Sequence, residues 1–195
     1  GTLSSRKRVA VPGVVLNLPF LSEQDEDDIR FAASQNMDFI AASFVHKAEA
    51  VLDIRRVLED VGSEIGIIAK IENEEGVRNI EEIINVADGI MVARGDMAVE
   101  CPLEEVPLAT KRIIELARQY AKPVIVATEV LGSMVNSPVP TRAEASDCAN
   151  AILDGSDATM TSNETAVGKY PAVTVNTMSR ISTFATEHGF DRIPE

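Results

Sequence analysis

The chain has 195 residues, is 45% hydrophobic but only 4% aromatic, and carries 18 basic against 31 acidic side chains for a formal net charge of −13. That length holds one compact domain with a real core and strains a two-domain reading. The charge argues against a nucleic-acid partner, which demands a basic face, and ordinary apolar content without low-complexity tracts argues against disorder. Cys101 and Cys148 are distant from each other and lack metal-ligand neighbours, so they read as buried thiols in a reducing compartment, not a disulfide framework or zinc ribbon. With only His46 and His188 present, histidine-based catalysis or metal binding has little to work with.

Along the chain, Arg6, Lys7 and Arg8 precede an apolar stretch from Val9 to Leu21 that superficially resembles a secretory signal. Pro12, Asn17 and Pro19 interrupt it, and polar Ser22-Glu23-Gln24-Asp25 follows where a small-residue cleavage site belongs. No apolar run is long enough to cross a bilayer, so a cytoplasmic protein without a membrane partner is expected. Within that stretch Val14–Leu18 is a candidate strand. Ser22 and Asp25 then suit a capping box for a helix carrying Ile29 and Phe31, whose acidic start complements the helix dipole.

Short, nearly continuous runs of branched apolar residues follow at Asp38–Val45, Ile65–Ile71, Gly89–Ala93, Pro123–Thr128 and Asp157–Thr161, each suited to a strand covered on both faces. Between them lie helical spacings: Val51, Ile54, Leu58 and Val61 form one stripe, and Val106, Ile113, Ile114 and Ala117 another. Pro107 fits a first helical turn, Thr141 with Glu144 a second capping box, and Gly155 the end of that helix.

Alternating strands and helices imply a parallel sheet with crossover helices, either doubly wound or a barrel. Small groups of reactive side chains stand at the carboxyl end of each strand: Ser43; Lys70 and Glu72; Arg94 and Asp96; Thr128 and Glu129; Ser162 and Glu164. Polar groups delivered at one end of every strand are the habit of a (β/α) barrel of TIM type, whereas a doubly wound sheet gathers its ligands at one switch point. The usual nucleotide-loop strings are missing from the sequence. The expected fold is α/β, a parallel barrel present in part, with five to six strands where a closed barrel needs about eight.

The most informative string is Ile67-Ile68-Ala69-Lys70-Ile71-Glu72-Asn73. Lys70 and Glu72, two apart on a strand, leave the same face, and inside an apolar strand each needs a charged partner. They read either as a buried ion pair or as a cation for an anionic substrate beside a ligand for a hard metal. Asp96, one strand over, supplies a second carboxylate, and oxygen donors with few histidines suit magnesium or manganese. Gly95 permits close backbone approach, and the amides opening the next helix can hold an anion. The Thr128 hydroxyl faces either a substrate oxygen or its own turn. Ser162-Asn163-Glu164-Thr165, followed by Gly168, reads as a polar loop, solvated or touching substrate.

Taken together, Ile67–Val77 (IIAKIENEEGV) with IAASFV at Ile40–Val45, GIMVARGD at Gly89–Asp96, KPVIVAT at Lys122–Thr128, PTRAEASD at Pro140–Asp147 and ANAILDG at Ala149–Gly155 resembles the pyruvate kinase family over nearly the whole chain. The resemblance implies residues 1–20 as the end of that family's inserted β domain and the lead-in to the barrel, and 21–195 as a partial barrel, its units four to eight. It implies phosphoryl transfer from phosphoenolpyruvate to ADP, giving pyruvate and ATP, with Lys70, Thr128 and Ser162 as catalytic residues. Ser43, Arg94, Gly95, Asp96 and Thr128 would bind substrate, and Glu72 and Asp96 would ligate Mg2+ or Mn2+. The family's K+ is expected too, its ligands lying outside this sequence, together with a homo-oligomer using Pro140–Asp147 as a subunit contact.

This sequence departs from the family pattern at Glu129 (usually glutamine), Thr161 and Asn163 (leucine and glycine), Ala98 (glycine), His46 (arginine) and Val139 (arginine). Asparagine tolerates left-handed backbone best after glycine, which would make Asn163 structurally quiet. Two other readings compete: a metal-dependent aldolase or lyase handling a pyruvate enolate, and a non-catalytic or engineered barrel fragment that is a folding or assembly unit. The isolated chain is expected to have negligible kinase turnover.

Overall fold

In the computed structural model residues 19–189 are described; the candidate strand Val14–Leu18 and most of segment 1–20 lie outside them. The expected apolar runs become the strands β1 (Phe39–Ala42), β2 (Gly66–Ile71), β3 (Gly89–Ala93), β4 (Val124–Ala127) and β5 (Ala158–Met160). They form one sheet in the order β1-β2-β3-β4-β5, every neighbouring pair parallel. Strand order that follows chain order decides between the two architectures, since a doubly wound sheet must reverse its order at a switch point. The sheet is the wall of a partial α/β barrel.

Helices intervene at each crossover: α1 (Glu23–Ser34) leads in, α2 (Ala48–Asp60) joins β1 to β2, and α3 (Glu74–Arg78) and α4 (Ile80–Val86) join β2 to β3. After β3 come α5 (Arg94–Glu100) and α6 (Val106–Gln119), after β4 a 3-10 turn (Gly132–Val135) and α7 (Arg142–Leu153), and after β5 α8 (Asn163–Ala166) and α9 (Pro171–His188). Both expected capping boxes are formed, at Ser22/Asp25 and Thr141/Glu144, and proline opens α6. Gly155, at φ +100°, turns the chain out of α7.

The sheet's two faces follow from register. Ile67, Ala69 and Ile71 of β2, Ile90 and Val92 of β3, and Val124 and Val126 of β4 pack with Val51, Ile54, Leu58, Ile83, Ile113 and Ile114 of the helices. The alternate row, Lys70↔Met91↔Ile125, pairs laterally on the opposite face. Val61, expected on the α2 stripe, instead caps the helix and is exposed, because the stripe ends with the last turn. Only β3 is buried at every position; β1 and β5, at the edges of the described sheet, are partly exposed. β1 is also shorter than the expected Asp38–Val45, since the chain leaves the sheet at Ser43 and turns through Phe44, whose φ is +55°.

Cys148 is buried and Cys101 half-buried, both free, so the expectation of two buried thiols holds fully only for Cys148. Burial pushes both thiols above their usual range, which keeps them protonated.

Aspartates pin the strands at the amino end of the sheet. The Asp88 carboxylate accepts from the Ile67 amide and from Arg55, both at 2.8 Å, while its own amide donates to the Ile67 carbonyl. Asp157 repeats the reciprocal arrangement with Val124. Burial works to raise the pKa of Asp88, but the hydrogen bonds from Arg55 and Ile67 outweigh it and hold the group below its ordinary 3.8. A carboxyl depressed in the folded state stabilises above its unfolded value and loses that contribution as pH falls through the folded one. The melting temperature is therefore expected to fall as pH drops from 5 to 3 (a window set by ordinary carboxylate values of about 4), and Asp88→Asn should flatten part of that decline while lowering stability at pH 6. Identical pH profiles for the two proteins would remove Asp88 from this role.

Candidate active site

Because all strands are parallel, every polar group that ends or follows a strand comes out at one end of the sheet. Ser43 follows β1, Lys70 and Glu72 close β2, Arg94 and Asp96 follow β3, Thr128 follows β4, and Ser162 follows β5. These residues fall into three linked sets.

The first set is built around Glu72, which is 1% exposed. Its Oε1 lies 2.9 Å from the Lys70 ammonium, and its Oε2 accepts the Phe44 backbone amide. Lys70 also donates to Ser43 Oγ at 2.9 Å. The ion pair foreseen as one of two readings is thus present, and it sits with the serine at the mouth of the sheet. A buried carboxylate costs several kcal/mol unless its oxygens are matched, and here an ammonium and an amide match them. Phe44 itself is left-handed, so the chain turns away immediately after this amide.

The second set joins β3 to β4. Arg94 Nη1 meets Asp147 Oδ1 of α7 at 2.7 Å, and Nη2 donates to the Thr128 carbonyl at 3.2 Å. Thr128 and Glu129 have φ of +75° and +55°, a backbone that costs non-glycine residues about 1–3 kcal/mol each. The Thr128 side chain lies directly over Gly95: a Cβ added there would collide with Thr128 Cγ2. Asp96 stands in the first turn of α5.

The third set is organised by Glu164, also 1% exposed, whose carboxylate accepts the Leu131 amide at 3.3 Å and the Ser162 amide at 2.7 Å. The segment expected to be a polar loop is therefore partly helical, with Glu164 turned inward as a clamp between the β4 and β5 connections, because two amides there need an acceptor. Asn163 opens α8 and is absent from the positive-φ residues, so its replacement of glycine calls for no left-handed backbone.

Among the departures, His46 tilts against Phe20 with ring centroids 5.9 Å apart, and its Nδ1 lies 3.3 Å from the Phe44 carbonyl. Glu129 and Val139 are exposed. The pairings of Asp147 and Glu164 and the role of the Phe44 amide were not legible in the sequence. Asp147–Arg94 and Glu164–Leu131 join residues 53 and 33 apart, and an amide leaves no mark on residue type.

Glu144 forms a further clamp, accepting from Ser133 and from the Thr141 amide. Burial raises its pKa, but those bonds from Ser133 and Thr141 prevail and hold it below the usual carboxylate range.

Residues 1–175 match the family model described as pyruvate kinase, barrel domain. The chain belongs to the pyruvate kinase family. It is 56% identical to the pyruvate kinase of Sporosarcina psychrophila over 98% of its length and 33% of that relative. Against the pyruvate kinase of Geobacillus stearothermophilus identity is 57% over 93% of this chain and 31% of the relative, and against that of Staphylococcus epidermidis strain ATCC 35984 it is 55% over 95% and 32%. The chain thus spans about a third of the length of the curated relatives it matches. Among the described residues no helix is long and apolar enough to cross a membrane.

Gly95→Ala is expected to lower stability by about 1–3 kcal/mol through overpacking against Thr128, read as a shift in urea midpoint at constant slope. An unchanged midpoint would mean that Thr128 moves aside freely.

Proposed function

We propose that this chain carries the phosphoryl-transfer centre of a pyruvate kinase, acting on phosphoenolpyruvate and ADP to give pyruvate and ATP. The observation that carries the reading is the ammonium of Lys70 fixed between Ser43 and buried Glu72, beside the Arg94-Gly95-Asp96 connection of the neighbouring strand. Such a transfer makes little covalent demand on protein, so positioning and cationic neutralisation dominate.

In the proposed reaction an oxygen of the ADP β-phosphate forms a bond to phosphorus while the bond to the enol oxygen breaks, and the enolate carbon then takes a proton. Lys70 neutralises charge on the moving phosphoryl group and on the enolate oxygen. The amides of Gly95 and Asp96 hold the substrate carboxylate, Arg94 adds positive charge at the same mouth, and Ser43 orients Lys70. Thr128 stands near the face of the enolate that is protonated, and Ser162 takes part in delivering the proton.

Two carboxylates without histidine or cysteine are the donor chemistry of a hard divalent cation. Among the described residues no group of three or more His, Cys, Asp or Glu side chains gathers as a metal cluster. Glu72 and Asp96 would hold Mg2+ or Mn2+, which when bound supplies further neutralisation of phosphate charge. In the same reading the K+ of the family is also used, the protein is cytoplasmic, and Pro140–Asp147 contributes to a subunit contact.

The test places residues 19–189 in a chimera, replacing the matching stretch of the Geobacillus stearothermophilus enzyme, and follows ATP formation from phosphoenolpyruvate and ADP with Mg2+ and K+. Activity is expected in the chimera, with a loss of about a thousandfold or more in kcat for Lys70→Met and partial retention in Lys70→Arg, which keeps a partner for Glu72. A folded chimera without ATP formation, or a Lys70→Met variant of undiminished rate, would overturn the proposal.

A further inference from the structure

Arg94 is the residue whose surroundings fit least well with direct substrate contact. Its side chain is 17% exposed, Nη1 is held by Asp147 and Nη2 by the Thr128 carbonyl. Its Nε is enclosed and without a hydrogen-bond partner in the structure. A guanidinium recognises a carboxylate or phosphate through two parallel N–H groups on one edge. Here the terminal nitrogens are already bonded to protein oxygens and the Nε edge is closed off. Each terminal nitrogen keeps a second N–H, but turning the guanidinium toward a substrate anion would loosen its bonds to Asp147 and Thr128.

What Arg94 holds is the most unusual backbone in the site. Thr128 is β-branched, a residue type for which positive φ is a genuine outlier, and Glu129 after it is left-handed as well. Consecutive residues of this kind persist only where their surroundings over-determine them. The Arg94 bond to the Thr128 carbonyl is one such determinant, and the seat of the Thr128 side chain on Gly95 is another. Since Gly95 immediately follows Arg94, a single connection grips Thr128 from its carbonyl and from its side chain.

We propose that Arg94 is a positioning residue: braced by Asp147 from α7, it fixes the left-handed Thr128–Glu129 turn and so holds the Thr128 side chain against Gly95 at the substrate end of the sheet. The inference rests on the kinase reading for its catalytic consequence, but the structural lock stands apart from it. Among the described residues Asp147 meets the site through Arg94, so the two should act as one unit.

Two measurements test it. In the chimera, Asp147→Asn and Arg94→Lys are each expected to lower kcat about tenfold or more with KM for phosphoenolpyruvate changed less than about threefold, and the double variant should be no worse than the poorer single one. A tenfold rise in KM with kcat preserved for Arg94→Lys, together with a silent Asp147→Asn, would overturn the proposal in favour of direct substrate binding. Independently of activity, the backbone NMR shifts of Thr128 and Glu129 are expected to leave the left-handed range in Asp147→Asn while those of Ile67–Ile71 stay fixed. Asp147 is partly solvent-exposed, so this substitution leaves the core intact. Unchanged shifts at Thr128 and Glu129 would also overturn it. A chimera inactive before any substitution would count against the kinase reading alone, and the NMR result would still decide the lock.

Discussion

The candidate site depends on one buried carboxylate. Glu72 lies almost wholly out of solvent at the end of a strand whose side chains, Lys70 apart, are apolar, and a charge in that position needs matched partners. One partner is Lys70, two residues earlier on the same face; the other is a backbone amide from the turn after the neighbouring strand. The pair therefore ties the turn after β1 to β2 at the carboxyl end of the sheet. Lys70, held by Glu72 and Ser43, is left with little orientational freedom, which is what a charge-neutralising group requires.

The same economy appears at each connection. Short-range apolar pattern forms the strands and helices, and single polar side chains then fasten one unit to the next. Arg94 spans from β3 to the turn after β4 and on to α7; Glu164 spans from the turn after β5 to the connection after β4. At the opposite end, Asp88 and Asp157 fasten strand to strand in matching fashion. The apolar contacts supply stability without direction, and the polar clamps set the relative placement of the connections that carry the site.

Several expectations failed for one reason. The run from Asp38 to Val45 reads as a longer strand, and Ser162–Thr165 as a polar loop rather than partly helical, because hydropathy reports burial but not where a chain must turn to satisfy a distant polar group. Asn163, expected to be structurally quiet as a tolerator of left-handed backbone, does not adopt that conformation; the left-handed positions in this part of the fold are Thr128 and Glu129, residue types that give no such signal. Val61 continued a helical stripe in the sequence past the point at which the helix stops.

By itself the sequence determined the alternation of strands and helices, both capping boxes, the parallel sheet and the clustering of Ser43, Lys70, Glu72, Arg94, Asp96, Thr128 and Ser162 at strand ends. These follow from residue periodicity and from the direction of parallel strands, which are local properties. Only the tertiary structure decided that strand order follows chain order, that Lys70 pairs with Glu72, that Asp147 braces Arg94, and that Glu164 turns inward. Those choices join residues up to 53 apart, and they depend on which oxygens and amides burial leaves needing a partner.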